Sequence, residues 1–121
     1  MPDDLRSTVE QYLHRCFDAE ETPRVAELAS IFGVSREKLS REFAAAYGIA
    51  LSAFLKKRQL DHAQRLLSTS ELSTTRIGYQ CGFGTRRTFY RAFRRGTGMS
   101  PDQYRRTHAD KSRGPSVTKC P

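Results

Sequence analysis

Apolar residues recur at intervals of three and four along most of the chain, which is the spacing of one face of an α-helix. The first such stripe, between about Asp4 and Asp18, consists of Leu5, Val9, Tyr12, Leu13, Cys16 and Phe17. No segment alternates apolar and polar residues as a half-buried strand would. The pattern therefore predicts an all-α protein of about seven helices.

Small polar residues, prolines and glycines mark the ends of the predicted helices. The expected N-caps are Thr22, Ser35, Ser73, Thr85 and Ser100, and Pro23 and Pro101 are expected at first helical positions. The glycines expected at helix ends are Gly33, Gly48, Gly82 and Gly98. A fourth helix, about Leu51 to Leu67, would be about 25 Å long and serve as a connecting strut. From His108 onward there is no periodicity, so a disordered tail is expected.

The two halves of the chain repeat one pattern at an offset of 49 to 50 residues. In each copy a short helix carries a small residue, a glycine follows four residues later, and a capped second helix comes next. The matching pairs are Ala29 with Gly78, Gly33 with Gly82, Leu39 with Phe89, and Phe43 with Phe93. This is the arrangement of a helix-turn-helix, in which the small residue lets the two helices cross closely. The predicted division is 1–50 first helix-turn-helix subdomain, 51–68 linker helix, 69–107 second helix-turn-helix subdomain and 108–121 disordered tail.

The net positive charge lies entirely in the second half of the chain. The protein has 21 Lys and Arg against 13 Asp and Glu, a formal net charge of +8. Residues 1–60 hold nine of each sign, whereas residues 61–121 hold twelve bases and four acids. Between residues 76 and 106 there are eight arginines and one acid, Asp102. A solvated basic face is one explanation, but so few acids favour a nucleic-acid partner, because the arginine fork binds phosphate and guanine in bidentate fashion.

Other classes of protein are disfavoured by what the sequence lacks. No apolar run reaches the 18 to 20 or so residues that would span a bilayer, and the acidic opening is unlike a signal peptide. The cysteines are odd in number and without CxxC spacing, which favours reduced thiols in a cytoplasm: Cys16, Cys81 and Cys120. The three histidines fall on different predicted elements, and no catalytic or metal-ligating arrangement is present. We therefore expect no enzyme activity, no cofactor, no metal and no membrane contact.

The repeated unit, taken with its linker, resembles the DNA-binding domain of the AraC/XylS family of bacterial transcription regulators, and the length is similar to that of its small MarA/SoxS-like members. The first copy contributes Leu28-Ala29, Gly33-Val34-Ser35, Leu39-Ser40-Arg41-Glu42-Phe43 and Gly48. The linker contributes Arg58-Gln59-Leu60, Ala63 and Leu66-Leu67. The second copy contributes Ile77-Gly78, Cys81-Gly82-Phe83, Phe89 to Arg91, Phe93-Arg94, Gly98-Met99-Ser100-Pro101 and Tyr104-Arg105. The sequence departs from the family pattern at Ala50-Leu51 and at Arg86-Arg87.

In a helix-turn-helix, the second helix enters the major groove, with residues near its N-terminus on base edges. Outer-face positions then give the expected base contacts: Arg36, Glu37, Ser40, Arg41, Arg86, Arg87, Tyr90 and Arg91. The resemblance singles out Glu37, Ser40 and Arg41 in the first copy and Arg87, Tyr90 and Arg91 in the second. The helix starts and the basic residues that flank them give the expected phosphate contacts: Ser35, Lys56, Lys57, Arg76, Thr85, Arg94 and Arg95.

We accordingly expect a sequence-specific regulator that binds double-stranded DNA as a monomer, reads two adjacent major-groove segments, and has RNA polymerase as a further partner in the bacterial cytoplasm. An adaptor or antiactivator whose arginine face meets an acidic protein is the alternative, and RNA binding is a weaker third. The Met1 start favours a complete small regulator over an excised domain. The operator, the sign of regulation and any inducer are not given by the sequence.

Overall fold

The computed structural model describes residues 2–108, with side chains from residue 5, and this part contains seven α-helices and no strand. The helices are α1 (Pro2–Ala19), α2 (Val25–Phe32), α3 (Arg36–Tyr47), α4 (Leu51–Thr69), α5 (Thr74–Gln80), α6 (Arg86–Thr97) and α7 (Pro101–His108). The predicted all-helical class is confirmed. The predicted tail lies outside the described residues except His108, which is the last residue of α7 and not part of a disordered segment. None of the described helices is both long and apolar enough to cross a membrane.

The fold has two hydrophobic cores that share α4. One core lies among α1, α2, α3 and the first turns of α4, and the other lies among α5, α6, α7 and the last turns of α4. Leu51 and Leu55 of α4 are buried in the first core, whereas Ala63 and Leu67 are buried in the second. Nineteen residues make α4 about 28 Å long. The predicted linker helix is therefore present, and it belongs to both halves.

The two helix-turn-helix units form as the repeat predicts. Ser35 Oγ accepts from the Lys38 N–H at 3.1 Å, and Thr85 Oγ1 accepts from the Thr88 N–H at 3.0 Å, so both second helices have the predicted N-caps. In the second unit the small residue is obligatory, because a Cβ on Gly78 would lie 2.7 Å from the ring of Phe89. These contacts fix the crossing of α5 and α6.

The start of α2 differs from the prediction. The helix begins at Val25, and its N-cap is Arg24, whose side chain makes no capping hydrogen bond. The expected cap, Thr22, instead donates its hydroxyl to the carbonyl oxygen of Gly82 at 2.6 Å. Near the helix start, the hydroxyl of Tyr12 of α1 accepts a hydrogen bond from the Arg24 N–H at 2.9 Å. The long-range bond from Thr22 to Gly82 thus replaces the local capping bond that the sequence predicts.

The loop between α1 and α2 packs directly on the turn between α5 and α6. Gly82 has φ +85°, and a Cβ there would lie 2.5 Å from the backbone oxygen of Glu21. Next to it, the buried side chain of Gln59 on α4 donates to the carbonyl oxygen of Cys81 at 3.1 Å. The bond from Thr22 completes this set of contacts. The two halves are thus held together by this contact as well as by α4.

His62 lies at the same junction. Its half-buried ring stacks on Phe17 of α1, with ring centroids 4.4 Å apart. A guanidinium nitrogen of Arg65 lies 3.1 Å from His62 Nδ1 and, since arginine only donates, this nitrogen accepts. Burial lowers the pKa of His62, and the neighbouring Arg65 adds to the effect. The junction therefore favours the neutral imidazole.

We expect Gly82→Ala to destabilise the protein more than Gly33→Ala. Both glycines have positive φ, 85° and 71°, so each alanine carries a similar backbone strain of about 1 kcal/mol. A Cβ on Gly33 meets nothing within 4 Å, whereas one on Gly82 meets the Glu21 backbone. The crowding should add about 1 to 3 kcal/mol, measured by urea unfolding. Equal losses in the two variants would show that the α1–α2 loop is not held against the turn.

We also expect the stabilising effect of His62 to decrease in acid. Because the pKa is lower in the folded than in the unfolded state, the unfolded chain takes up the proton first as the pH falls below about 6.5. The difference in unfolding free energy between the wild type and His62→Gln should therefore shrink between pH 8 and pH 5. The value at pH 8 measures the packing effect alone, and a difference that stays constant with pH would contradict the assignment.

Candidate nucleic-acid interface

The outer face of α6 is a surface of unpaired arginines. Phe89 and Phe93 point into the second core and are fully buried. The arginines of the helix are all exposed, and they are Arg86, Arg87, Arg91, Arg94 and Arg95. None of them forms an ion pair within residues 5–108, and the helix contains no acid. This helix alone therefore presents five positive charges to solvent.

The corresponding helix of the first unit, α3, carries charges of both signs. The predicted contact residues Arg36, Glu37 and Arg41 are exposed, and Ser40 is partly exposed. On the same helix, Lys38 and Glu42 form an ion pair at 2.9 Å, and Lys38 lowers the pKa of Glu42. The three bases and two acids leave α3 with a net charge of only +1. The two helices share a geometry but differ in charge.

The first turns of both helices offer backbone donors. The hydroxyl oxygens of Ser35 and Thr85 accept the capping hydrogen bonds, and the Thr85 hydroxyl also donates to Thr88, so the phosphate contacts predicted at these helix starts rest mainly on the backbone N–H groups beside them. In the first turn of an α-helix, N–H groups have no intrahelical acceptor, and the helix dipole favours an anion there. Each turn is thus a suitable place for a phosphate group.

A basic cleft lies between α4 and α6. Lys56 of α4 and two arginines of α6, Arg91 and Arg95, line a space of about 360 Å³. The helices approach closely because α6 has Gly96 here, where a Cβ would lie 2.5 Å from a methyl carbon of Leu60. The structure thus brings Lys56, Arg91 and Arg95 together.

Thr88 also lines this cleft, although the sequence analysis did not single it out. It lies three residues before Arg91 and seven before Arg95, which is one helical face. This spacing from Arg91 and Arg95 would have identified Thr88 as a member of the same helical face.

Two predicted phosphate contacts are engaged elsewhere. Lys57 follows Lys56 but lines a different cleft, between α1 and α4, and pairs with Asp61 at 3.3 Å. Arg76 forms an ion pair with Glu20 of the α1–α2 loop. The charges of Lys57 and Arg76 are therefore partly neutralised by carboxylates, whereas the arginines of α6 form no ion pair within residues 5–108.

Tyr90 is held within the second unit. The residue is partly buried, its hydroxyl donates to Asp102 of α7 at 2.9 Å, and Thr74 of α5 lies 3.1 Å from the same oxygen. The guanidinium carbon of Arg86 lies 4.3 Å from the centre of the Tyr90 ring. Sequence reasoning placed Tyr90 among the base contacts and assigned no role to Thr74 or Asp102.

The described residues contain no group of three or more His, Cys, Asp or Glu side chains that could hold a metal ion. Cys16 and Cys81 are buried in the two cores. Burial raises the pKa of Cys81 to about 12 and also raises that of Cys16, so both remain protonated thiols. The cysteines therefore belong to the packing and not to a reactive centre.

Comparisons with known proteins agree with this geometry. The family model of the helix-turn-helix domain matches residues 28–107. The regulator Rv1931c of Mycobacterium tuberculosis is 35% identical over 86 residues, which are 71% of this chain and 33% of the relative. The transcriptional activator RhaR of Salmonella heidelberg is 38% identical over 71 residues, which are 59% of this chain and 25% of the relative. The chain thus spans a third or less of the length of these curated relatives.

Solved structures give the same result. The C-terminal domain of AraT, a response regulator from Geobacillus stearothermophilus, superposes with a TM-score of 0.80 at 29% identity, covering 92% of this chain and 90% of that one. The DNA-binding domain of the transcriptional factor AdpA, solved in complex with a target DNA, gives 0.71 at 30% identity, with 82% and 90% covered.

The two helix-turn-helix units and the helix α4 that joins them define a double helix-turn-helix protein. The chain belongs to the AraC-type helix-turn-helix family of DNA-binding transcription regulators, which confirms the predicted family. Family membership also agrees with the expectation that the protein is not an enzyme.

Proposed function

We propose that this chain is a sequence-specific DNA-binding transcription regulator that inserts α3 and α6 into adjacent major-groove segments of a promoter site. The observation that carries the proposal is the row of arginines on α6, the second helix of a helix-turn-helix, which form no ion pair within residues 5–108. A row of exposed arginines without acids matches the phosphate backbone, which supplies most of the affinity in DNA binding. The structural neighbour AdpA was solved with its DNA bound, which supports a DNA partner here.

The two helices divide the work of recognition. Helix α6 supplies most of the affinity, because its charges are not neutralised within residues 5–108. Helix α3 adds little electrostatic attraction but adds discrimination, since Glu37 accepts from a cytosine amino group and Arg41 binds guanine. The remaining base contacts in the proposal are Arg36 and Ser40 on α3, and Arg86, Arg87 and Arg91 on α6.

The phosphate contacts follow from the same placement. Lys56 and Arg95 line one cleft beside α6, so a DNA strand leaving the groove would meet both side chains, while Arg91 at the same cleft faces the base edges. The first turns after Ser35 and Thr85, together with Arg94, hold phosphates nearer the groove. Lys57 and Arg76 contribute less, because each is already paired with a carboxylate.

A monomer can present both helices at once. Helix α4 is about 28 Å long, and the contact of the α1–α2 loop with the α5–α6 turn prevents the halves from turning freely about it. Successive major-groove segments on one face of B-form DNA are roughly 34 Å apart. Bending of the DNA toward the protein belongs to the proposal wherever α3 and α6 lie closer together than this repeat. Binding on the bacterial nucleoid and contact with RNA polymerase are parts of the same proposal.

Selection of duplexes from a random pool is the direct test. We expect one asymmetric site with two half-sites about one helical turn apart, and an affinity that falls steeply as the salt concentration rises. Binding with no more than several-fold preference among sequences would overturn sequence-specific recognition. A protein that fails to bind duplex DNA but binds an acidic protein would instead be an adaptor.

Arg91→Ala and Arg95→Ala should have different effects although both residues line the cleft. Arg91→Ala should relax the preference at one base pair, with a loss of about 1 to 3 kcal/mol for the preferred site. Arg95→Ala should weaken all duplexes alike and lower the salt dependence by about one unit in the slope of log K against log salt. Titration of the selected site and a scrambled site at several salt concentrations measures both effects. Equal loss of preference in the two variants would contradict this division.

A further inference from the structure

We propose that Tyr90 does not read a base itself but is a positioning residue that holds Arg86 for a base contact, anchored by Asp102 of α7. The proposal rests on the function proposed above and adds a specificity-determining network to it. The network joins three helices: Thr74 begins α5, Arg86 and Tyr90 lie on α6, and Asp102 lies in the first turn of α7.

The hydroxyl group of Tyr90 has no free hydrogen to offer a base. Its hydrogen goes to Asp102 Oδ2 at 2.9 Å, because an ionised carboxylate only accepts. Its oxygen lies 3.1 Å from Thr74 Oγ1, and the threonine hydroxyl must then be the donor. The ring packs edge-on against buried Phe89, with centroids 5.8 Å apart. A phenol whose hydroxyl makes two hydrogen bonds and whose ring packs against a buried side chain is a fixed surface and not a mobile reader.

The guanidinium of Arg86 lies over that ring. Its guanidinium carbon is 4.3 Å from the ring centre, well within the 6 Å or so over which a cation is attracted to an aromatic face. Arg86 is the first residue of α6, follows the Thr85 cap, and has no ion pair in the described part of the chain. An exposed arginine otherwise samples many rotamers, and stacking on a rigid ring reduces that freedom before DNA binds.

Asp102 supports this role because its carboxylate accepts a hydrogen bond from Tyr90. It is the one acid among eight arginines in residues 76–106, and its nearest hydrogen bond is to a phenol. The carboxylate thereby fixes Tyr90 while the arginines of α6 stay without a counter-charge. The anchor sits on α7, outside the helix-turn-helix itself, so α7 becomes part of the recognition apparatus.

The first experiment compares Arg86→Ala, Tyr90→Leu and the double variant by selection from a random pool. Each single change should lower the preference at the same base pair, by about tenfold for Arg86→Ala and somewhat less for Tyr90→Leu. The double variant should resemble Arg86→Ala, because Tyr90 acts through it. If Tyr90→Leu changes a base pair that Arg86→Ala leaves unaffected, Tyr90 is itself a reader and the proposal is wrong. If both variants weaken all sequences equally, Arg86 is a phosphate contact and the proposal is also wrong.

Asp102→Ala gives a readout that a merely structural role would not produce. Removing the negative charge should raise the affinity for a scrambled duplex, whereas removing the acceptor should loosen Tyr90 and lower the preference at the Arg86 base pair. The two effects have opposite signs in one variant. Tyr90→Phe, which keeps the ring, is the matched control and should lose less preference than Tyr90→Leu. Preference unchanged in Asp102→Ala would show that the anchor does not matter.

A measurement without DNA separates this proposal from the proposed function. In the NMR spectrum, the side-chain protons of Arg86 should be shifted upfield by the ring in the wild type and in Tyr90→Phe, and the shift should be lost in Tyr90→Leu. Thermal unfolding of each variant checks that the fold is retained. No upfield shift in the wild type would overturn the positioning role, even if DNA binding is specific. A wild type that shows the shift but selects no sequence would overturn the proposed function and, with it, the role in specificity.

Discussion

The arrangement of the two halves depends on the missing side chain of Gly82. The backbone of Glu21 comes so close to this glycine that a Cβ would lie 2.5 Å from its oxygen, and Thr22 bonds to the glycine carbonyl in the same place. Gln59 fixes the preceding carbonyl from α4. These polar contacts are partly or fully buried, so the backbone groups have partners that water would otherwise supply. Without this contact, the two small cores would be joined by α4 and by the ion pair between Arg76 and Glu20, and their relative orientation would be less restricted.

The two copies of the repeated unit share one backbone shape but differ in surface charge. Both copies use one backbone design, with a capped second helix and two inward residues four apart, Leu39 and Phe43 in one and Phe89 and Phe93 in the other. Their outer faces differ because the outer residues take no part in either core. Ion pairing on α3 reduces its field, whereas the five arginines of α6 have no ion pair within residues 5–108. The repeat therefore allows the charge of one second helix to change without a change in the backbone of either unit.

Local features of the fold were predictable, and long-range ones were not. The caps at Ser35 and Thr85 act within three residues, so the sequence predicts them correctly. Thr22 has the same local signature but bonds to Gly82, sixty residues away. Lys56 and Lys57 are neighbours in sequence, yet about 100° of helical rotation sends them to different clefts. Periodicity predicts which side chains point away from the core. Which clefts those side chains then line depends on how α4 packs between the two halves.

The arginine face of α6 also has a cost in the free protein. Arg87, Arg91 and Arg95 follow one another at intervals of four, and like charges at this spacing oppose helix formation by about 0.2 to 0.5 kcal/mol per pair. The Thr85 cap and the burial of Phe89 and Phe93 oppose this loss. A polyanion placed along the helix would remove the repulsion, and by linkage it would stabilise the second half as it binds. The arginines that the proposal assigns to DNA binding are thus the ones whose charge no ion pair balances within residues 5–108, and under that proposal the stability of α6 is coupled to DNA binding.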